Sequence, residues 1–207
     1  MRKRGVLAAM LTGVMLVLCG CGGMTTDEAK DYVKSALDAG YKAEFKEYAE
    51  ITDSTEKEAK KEYETNLDNS MKEAGFDETG VSDELKANYR KLFEKMLKSA
   101  NYKVGEVKEA GDDEFKVSVE VQPFTAFSTV SEELDNWVTD TYSNIEYVPS
   151  DEELNEAIMK KMYELMDEKM NNPTVTVNVK VDKDGAYYIP QKDLTAVDDA
   201  LFPEDAL

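Results

Sequence analysis

Twice along this chain of 207 residues the spacing of apolar side chains changes from three-and-four to two. Phe115, Val117, Val119 and Val121 alternate with Lys116, Ser118, Glu120 and Gln122. Later, Val175, Val177, Val179 and Val181 alternate with Thr174, Thr176, Asn178 and Lys180. Successive strand side chains point to opposite faces, so each run predicts a strand buried on one side and wet on the other. Strands of that kind make antiparallel sheets covered on a single face. The cover must come from the intervening segments, and these carry the helical period.

Ala29, Tyr32, Val33, Ala36 and Leu37 form the first helical stripe, opened by Thr25-x-x-Glu28 as a capping box, with Gly40 as the expected stop. Ala59, Tyr63, Leu67, Met71 and Ala74 form the second, opened by Thr55-x-x-Glu58 and followed by Gly75. Leu85, Tyr89, Leu92, Phe93, Met96 and Leu97 form the third behind a Ser82 cap. Tyr102 and Val104 read as hairpin partners of the first strand, with Gly111-Asp112-Asp113 at the turn. Two more helices are expected, one carrying Val130, Leu134, Trp137, Val138 and Thr141. The other opens at Ser150-x-x-Glu153, carries Leu154, Ile158, Met162, Leu165 and Met166, and ends at Asn171-Asn172-Pro173. Asp184-Gly185 turns the last strand toward Tyr187 and Ile189, and a short helix or frayed tail ends at Leu207. The expected fold class is α+β: an antiparallel sheet of about four strands in two hairpins, with amphipathic helices packed on one face. No Pro- or Gly-rich linker divides residues 27–207, which read as one domain.

The first twenty residues follow another rule. Arg2, Lys3 and Arg4 precede an apolar run from Val6 to Leu18, broken only by Thr12 and Gly13. Thirteen residues are too few for a membrane-spanning helix, which needs about 20. The pattern is that of an export leader over residues 1–20. Leu18-Cys19-Gly20-Cys21 resembles the lipobox of bacterial lipoproteins: an aliphatic residue, a tolerant position, a small residue, then Cys. The resemblance implies that the leader is cut before Cys21 and that its thiol takes a diacylglyceryl group. Residues 21–26 are then a lipidated tether, and the protein is held at the outer face of the cytoplasmic membrane or of another envelope membrane. Cys19 is the worse acceptor, because bulky Leu18 would stand where the small residue belongs. Cleavage and acylation would consume both cysteines of the chain, leaving a domain that is stable through its core alone. In element order the body resembles the cystatin-like and NTF2-like folds of small exported lipoproteins of unknown function.

Charge and residue types narrow the chemistry. The chain has 25 basic and 44 acidic residues, a net charge of −19. Loss of Arg2, Lys3 and Arg4 leaves 22 basic residues and a net charge near −22. Such a body is repelled by nucleic acid and by anionic membranes, so no nucleic-acid partner is expected. There is no histidine, which removes the commonest general base and metal ligand. A Ser-His-Asp triad is impossible, and no phosphate-loop, dinucleotide or zinc pattern occurs. Asp182-Lys183-Asp184-Gly185 opens like a calcium loop, but Gly falls at the fourth position and Ala186 at the fifth, and a hairpin turn explains the same letters. No catalytic residue, metal or cofactor is assigned. Trp137, Tyr142, Tyr147, Tyr187 and Tyr188 are candidates to line a pocket between sheet and helix, and packing into the core is the competing expectation.

These features point to a membrane-anchored binding or interaction module, not an enzyme. Its partners would be the membrane, through lipid on Cys21, and a protein or small ligand that the sequence does not name. The alternatives are an enzyme using Asp and Tyr in acid–base chemistry, and the solute-binding component of a transporter.

Overall fold

The alternating run at 115–121 forms the middle of the sheet. In a computed structural model of the protein, which describes residues 15–16, 23–73, 82–111, 113–142, 150–166, 172–184 and 186–203, strand β1 (Asn101–Gly111) pairs antiparallel with β2 (Glu114–Gln122). β2 pairs in turn with β3 (Val175–Asp184), and β3 with the short β4 (Ala186–Tyr188). Strand order in space equals strand order in sequence, so the two expected hairpins merge into one meander. A two-residue strand, Met15–Leu16, borders β4 from within the predicted leader.

The register puts all the expected inward residues on one face. Val117 lies opposite Val107 and Val179, and Val119 opposite Val104 and Val177. Phe115, Val117, Val119, Val121, Val179 and Val181 are buried, while Lys116 and Glu120 on the other face are exposed. The pairing of β1 with β2 slips between Val104 and Val107. Gly105 sits there, where a Cβ would stand 2.6 Å from Ser118 Oγ and would force that hydroxyl to move. A bulge and the charges of Lys103, Glu106 and Lys108 blunt this edge strand against pairing with another chain.

Helices cover the inward face in two layers. α1 (Thr26–Leu37) and α7 (Gln191–Leu201) lie on the sheet. Ala29, Tyr32, Val33 and Leu37 are the buried stripe of α1, and Leu194, Val197 and Leu201 that of α7. α2 (Lys46–Ile51), α3 (Glu56–Glu73) and α4 (Asp83–Lys98) pack around α1 and the turn that follows it. α5 (Val130–Tyr142) and α6 (Asp151–Met166) are inserted between β2 and β3. They form an outer layer, α6 on α4 and α5 on α6.

Helix starts fall where the capping boxes lie. Glu28 N–H donates to Thr25 Oγ1 at 3.3 Å, and Thr25 N–H donates to the Glu28 carboxylate at 2.7 Å. Thr55 with Glu58 and Ser150 with Glu153 repeat the reciprocal bonds, and Ser82 Oγ accepts from Leu85 N–H. Thr25→Ala is expected to lower stability by about 1 kcal/mol, because one N-terminal donor of α1 loses its partner. Urea unfolding should show an earlier midpoint at unchanged slope. An unmoved midpoint would mean that the box contributes nothing.

Three expectations need correction. Gly40 does not stop the first helix: the chain continues as a π-helical turn, Asp38–Lys42, and ends at Ala43 with φ 57°. The turn holds because Tyr41 is fully buried and the Asp38 side chain is bound from three sides. The C-terminal segment, by contrast, is the expected short helix, and the frayed end expected at Glu204-Asp205-Ala206-Leu207 lies outside the described residues. α7 is bound to the sheet by Phe124 N–H to Leu201 O at 2.7 Å and by Lys180 N–H to Asp193 Oδ2 at 3.0 Å. The tether expected over 21–26 is shorter, since Met24 is buried, Thr25 caps α1 and Thr26 belongs to it. Finally, α5 does not lie on the sheet, and Val138 on its predicted apolar stripe stays 37% exposed. Ala74, Gly75, Asp112, Asn171, Gly185 and residues 204–207 lie outside the described residues.

Candidate functional site

Two polar assemblies stand out from the apolar core. The first is where the chain enters the body. The Met24 N–H donates to Tyr187 Oη at 2.8 Å, and that hydroxyl donates to Asp113 Oδ1 at 2.8 Å. Lys183 Nζ donates to the other oxygen of Asp113 at 2.9 Å and lies 5.0 Å from the centre of the Tyr187 ring. Asp113 sits in the β1–β2 turn with φ 60°, a conformation that Asp tolerates better than most side chains. The hydrogen bond from Lys183, then that from Tyr187, hold its carboxyl below the usual carboxylate range. Phe115 packs against Tyr187 from the core side. Gly23 fits beside this cluster because it lacks a Cβ, which would stand 3.2 Å from Asp113 Oδ1.

The second assembly is a chain of two carboxylates and two tyrosines. Asp38 is 4% exposed and accepts from Lys34 Nζ at 2.6 Å, Lys42 Nζ at 3.0 Å and Tyr102 Oη at 2.5 Å. Burial pushes its carboxyl up, but the three hydrogen bonds outweigh burial and hold it below the usual range. The Tyr102 ring lies 5.7 Å from that of Tyr41. Tyr41 donates to Asp198 Oδ1, and Asp198 Oδ2 has no hydrogen-bond partner. Asp198 is 2% exposed, and burial pushes its carboxyl up to about 8, partly offset by Tyr41 and reinforced by the neighbouring Asp199 charge. The two carboxyl groups are thus pushed in opposite directions, Asp38 down and Asp198 up. Environments that separate two carboxyl groups in this way are the physical basis of acid–base pairs.

Access divides the two. Asp38 borders an open hollow of about 610 Å³ whose wall carries Glu44, Glu47, Glu50 and Glu56. Tyr41 and Asp198 are closed in by Tyr102, Phe202 and the buried face of α7. Among the described residues no group of three or more Asp, Glu, His or Cys is placed to hold a metal ion, and no helix is long and apolar enough to cross a membrane.

The residues singled out from sequence do not assemble into one site. Leu18, Gly20, Cys21 and Tyr147 lie outside the described residues. Trp137 and Tyr142 meet edge to face at 5.5 Å on α5, both half-buried. Tyr187 is locked at the sheet end, and its neighbour Tyr188 on β4 is half-buried. No ring contact among the described residues joins the α5 pair to Tyr187 or Tyr188. The sequence reading passed over Asp198, although a signal existed: Leu194, Val197, Asp198 and Leu201 share one helical stripe, and a carboxylate among apolar neighbours is a buried charge in prospect. Met24, Asp113 and Lys183 carried no such signal, because their meeting depends on residues 70 to 163 positions apart.

No protein-family model matches the chain, and no curated protein matches it. Among solved structures, its fold is similar to the crystal structure of a "putative lipoprotein (ycdA)" from Bacillus subtilis subsp. subtilis str. 168, with a TM-score of 0.61 and 20% sequence identity. The alignment covers 86% of this chain and 58% of that one, so the chain spans little more than half the length of the protein it resembles. At that identity the likeness is one of fold, and the fold is an α+β sheet-and-helix body.

Proposed function

We propose that this protein is a lipoprotein of the cell envelope, anchored through diacylglycerol on Cys21 at the outer face of the cytoplasmic membrane, and that its body is a binding or interaction module. One observation carries the reading: the lipobox cysteine stands three residues before Met24, the first core residue of the body. The cut would therefore fall just before the first buried residue described in the body, and it would also remove the Met15–Leu16 strand that borders β4. The fold shared with a lipoprotein candidate from Bacillus subtilis agrees with this placement. The finer likeness to cystatin-like and NTF2-like bodies belongs to the same proposal and rests on the order of elements.

Intact-mass analysis of the natural product from the membrane fraction tests the anchor. The expected species begins at Cys21 and carries bound fatty chains. A mature species with another start, or one without acyl mass, would overturn it.

An acid–base enzyme is the second reading, favoured by Asp198 beside Tyr41. Both groups are sealed in the core, so this reading requires the π-helical turn to open before any substrate could reach them. The transporter alternative calls for two lobes around a ligand. Apart from Leu165, the buried hydrophobic residues of the sheet and of helices α1, α3, α4, α6 and α7 belong to a single core cluster.

A further inference from the structure

We propose, resting on the lipid anchor above, that the protein stands on the bilayer by the hairpin end of its sheet. Only Gly22 separates Cys21 from Gly23. Two peptide steps span at most about 7 Å. Gly23 lies beside Asp113 of the β1–β2 turn, and the next residue, Met24, is fixed by its N–H bound to Tyr187. Lys183, one residue before the end of β3, is bonded to the same Asp113, so both hairpin ends lie beside the point where the anchor leaves the body. An acyl-bearing sulfur at the headgroup level therefore draws the two turns to the membrane surface.

Charge decides how the body stands there. Near −22 in total, it is disfavoured from laying a broad face on an anionic bilayer. The smallest contact compatible with the short tether is the end of the sheet. β2 has nine residues, which at about 3.3 Å each place the opposite end some 30 Å outward. That outer end carries Asn101, Gln122 and Val175, the last 47% exposed.

Once Cys19 is removed and Cys21 acylated, an introduced cysteine is the sole free thiol. Asp184→Cys at the hairpin end and Thr174→Cys at the outer end both replace exposed residues. Each purified lipidated variant would be labelled with a fluorophore and inserted into phosphatidylcholine–phosphatidylglycerol vesicles bearing headgroup spin-label quenchers. Quenching at position 184 is expected to exceed that at 174 several-fold. A flexible insert of about ten Gly and Ser residues after Gly22 should erase most of the difference by lengthening the tether. If the variants float with vesicles but the two positions are quenched alike, the anchor stands and the orientation is overturned. If they do not float, the anchor itself is overturned and the orientation falls with it.

Discussion

Replacing Cys21 by Ala is expected to leave the precursor uncut and to send any cleaved product to the soluble fraction. The size of the effect follows from the anchor. Each buried methylene contributes about 0.8 kcal/mol; one acyl chain holds a protein only marginally, and two hold it stably. No described helix can cross a membrane, and a body of about −22 charge is repelled by anionic lipid. Fractionation with immunodetection of the body would read the outcome. A product cut at the usual place, lacking Cys21 and still found with membranes, would sink the assignment.

Asp198→Asn is expected to flatten the dependence of stability on pH between about 4 and 8. In the folded protein the Asp198 carboxyl is pushed up to about 8, chiefly by burial, whereas an exposed Asp titrates at about 3.9. Between those values the folded state holds a proton that the unfolded chain has released. Stability therefore falls as pH rises through this window and levels off above it. The slope is about 1.4 kcal/mol per pH unit, for a total on the order of 5 kcal/mol. The window is otherwise sparsely occupied, because the chain has no histidine. Asp38 works in the opposite sense: its lowered carboxyl contributes stability above its unfolded value and loses it as pH falls further. Asn at 198 keeps an acceptor for Tyr41 and nearly the same shape, so the slope, more than the baseline, should change. Chemical denaturation across pH values measures it, and a slope equal to that of the wild type would show that Asp198 is ionised in the fold.

Most of the body's secondary structure was legible. The alternation of Phe115 to Val121 named the strand and its inward face, because a period of two has one meaning on a sheet. Thr25, Thr55, Ser82 and Ser150 named four helix starts, because caps are local chemistry. α2 was not seen, since six residues with only Tyr48 and Ala49 buried carry too little period to read. Gly40 misled for a related reason: its helix-ending tendency is a local preference worth about 1 kcal/mol, and the burial of Tyr41 exceeds it. The candidate sites were less legible still. The aromatic set followed chain proximity and divided between α5 and the sheet end, whereas the polar clusters join Asp38 to Tyr102 and Tyr41 to Asp198 across the fold.

What the sequence determined by itself is what neighbouring residues decide together: the helix starts, the faces of the strands and the α+β class; the leader and the lipobox are expectations of the same local kind. Only the tertiary structure decided that the hairpins join into one meander, that α7 docks on it, and that Tyr187 ties Met24 and Asp113 into one end of the molecule. Those outcomes depend on long-range contacts whose energy exists only after the chain has closed on itself, and no local period or cap records them.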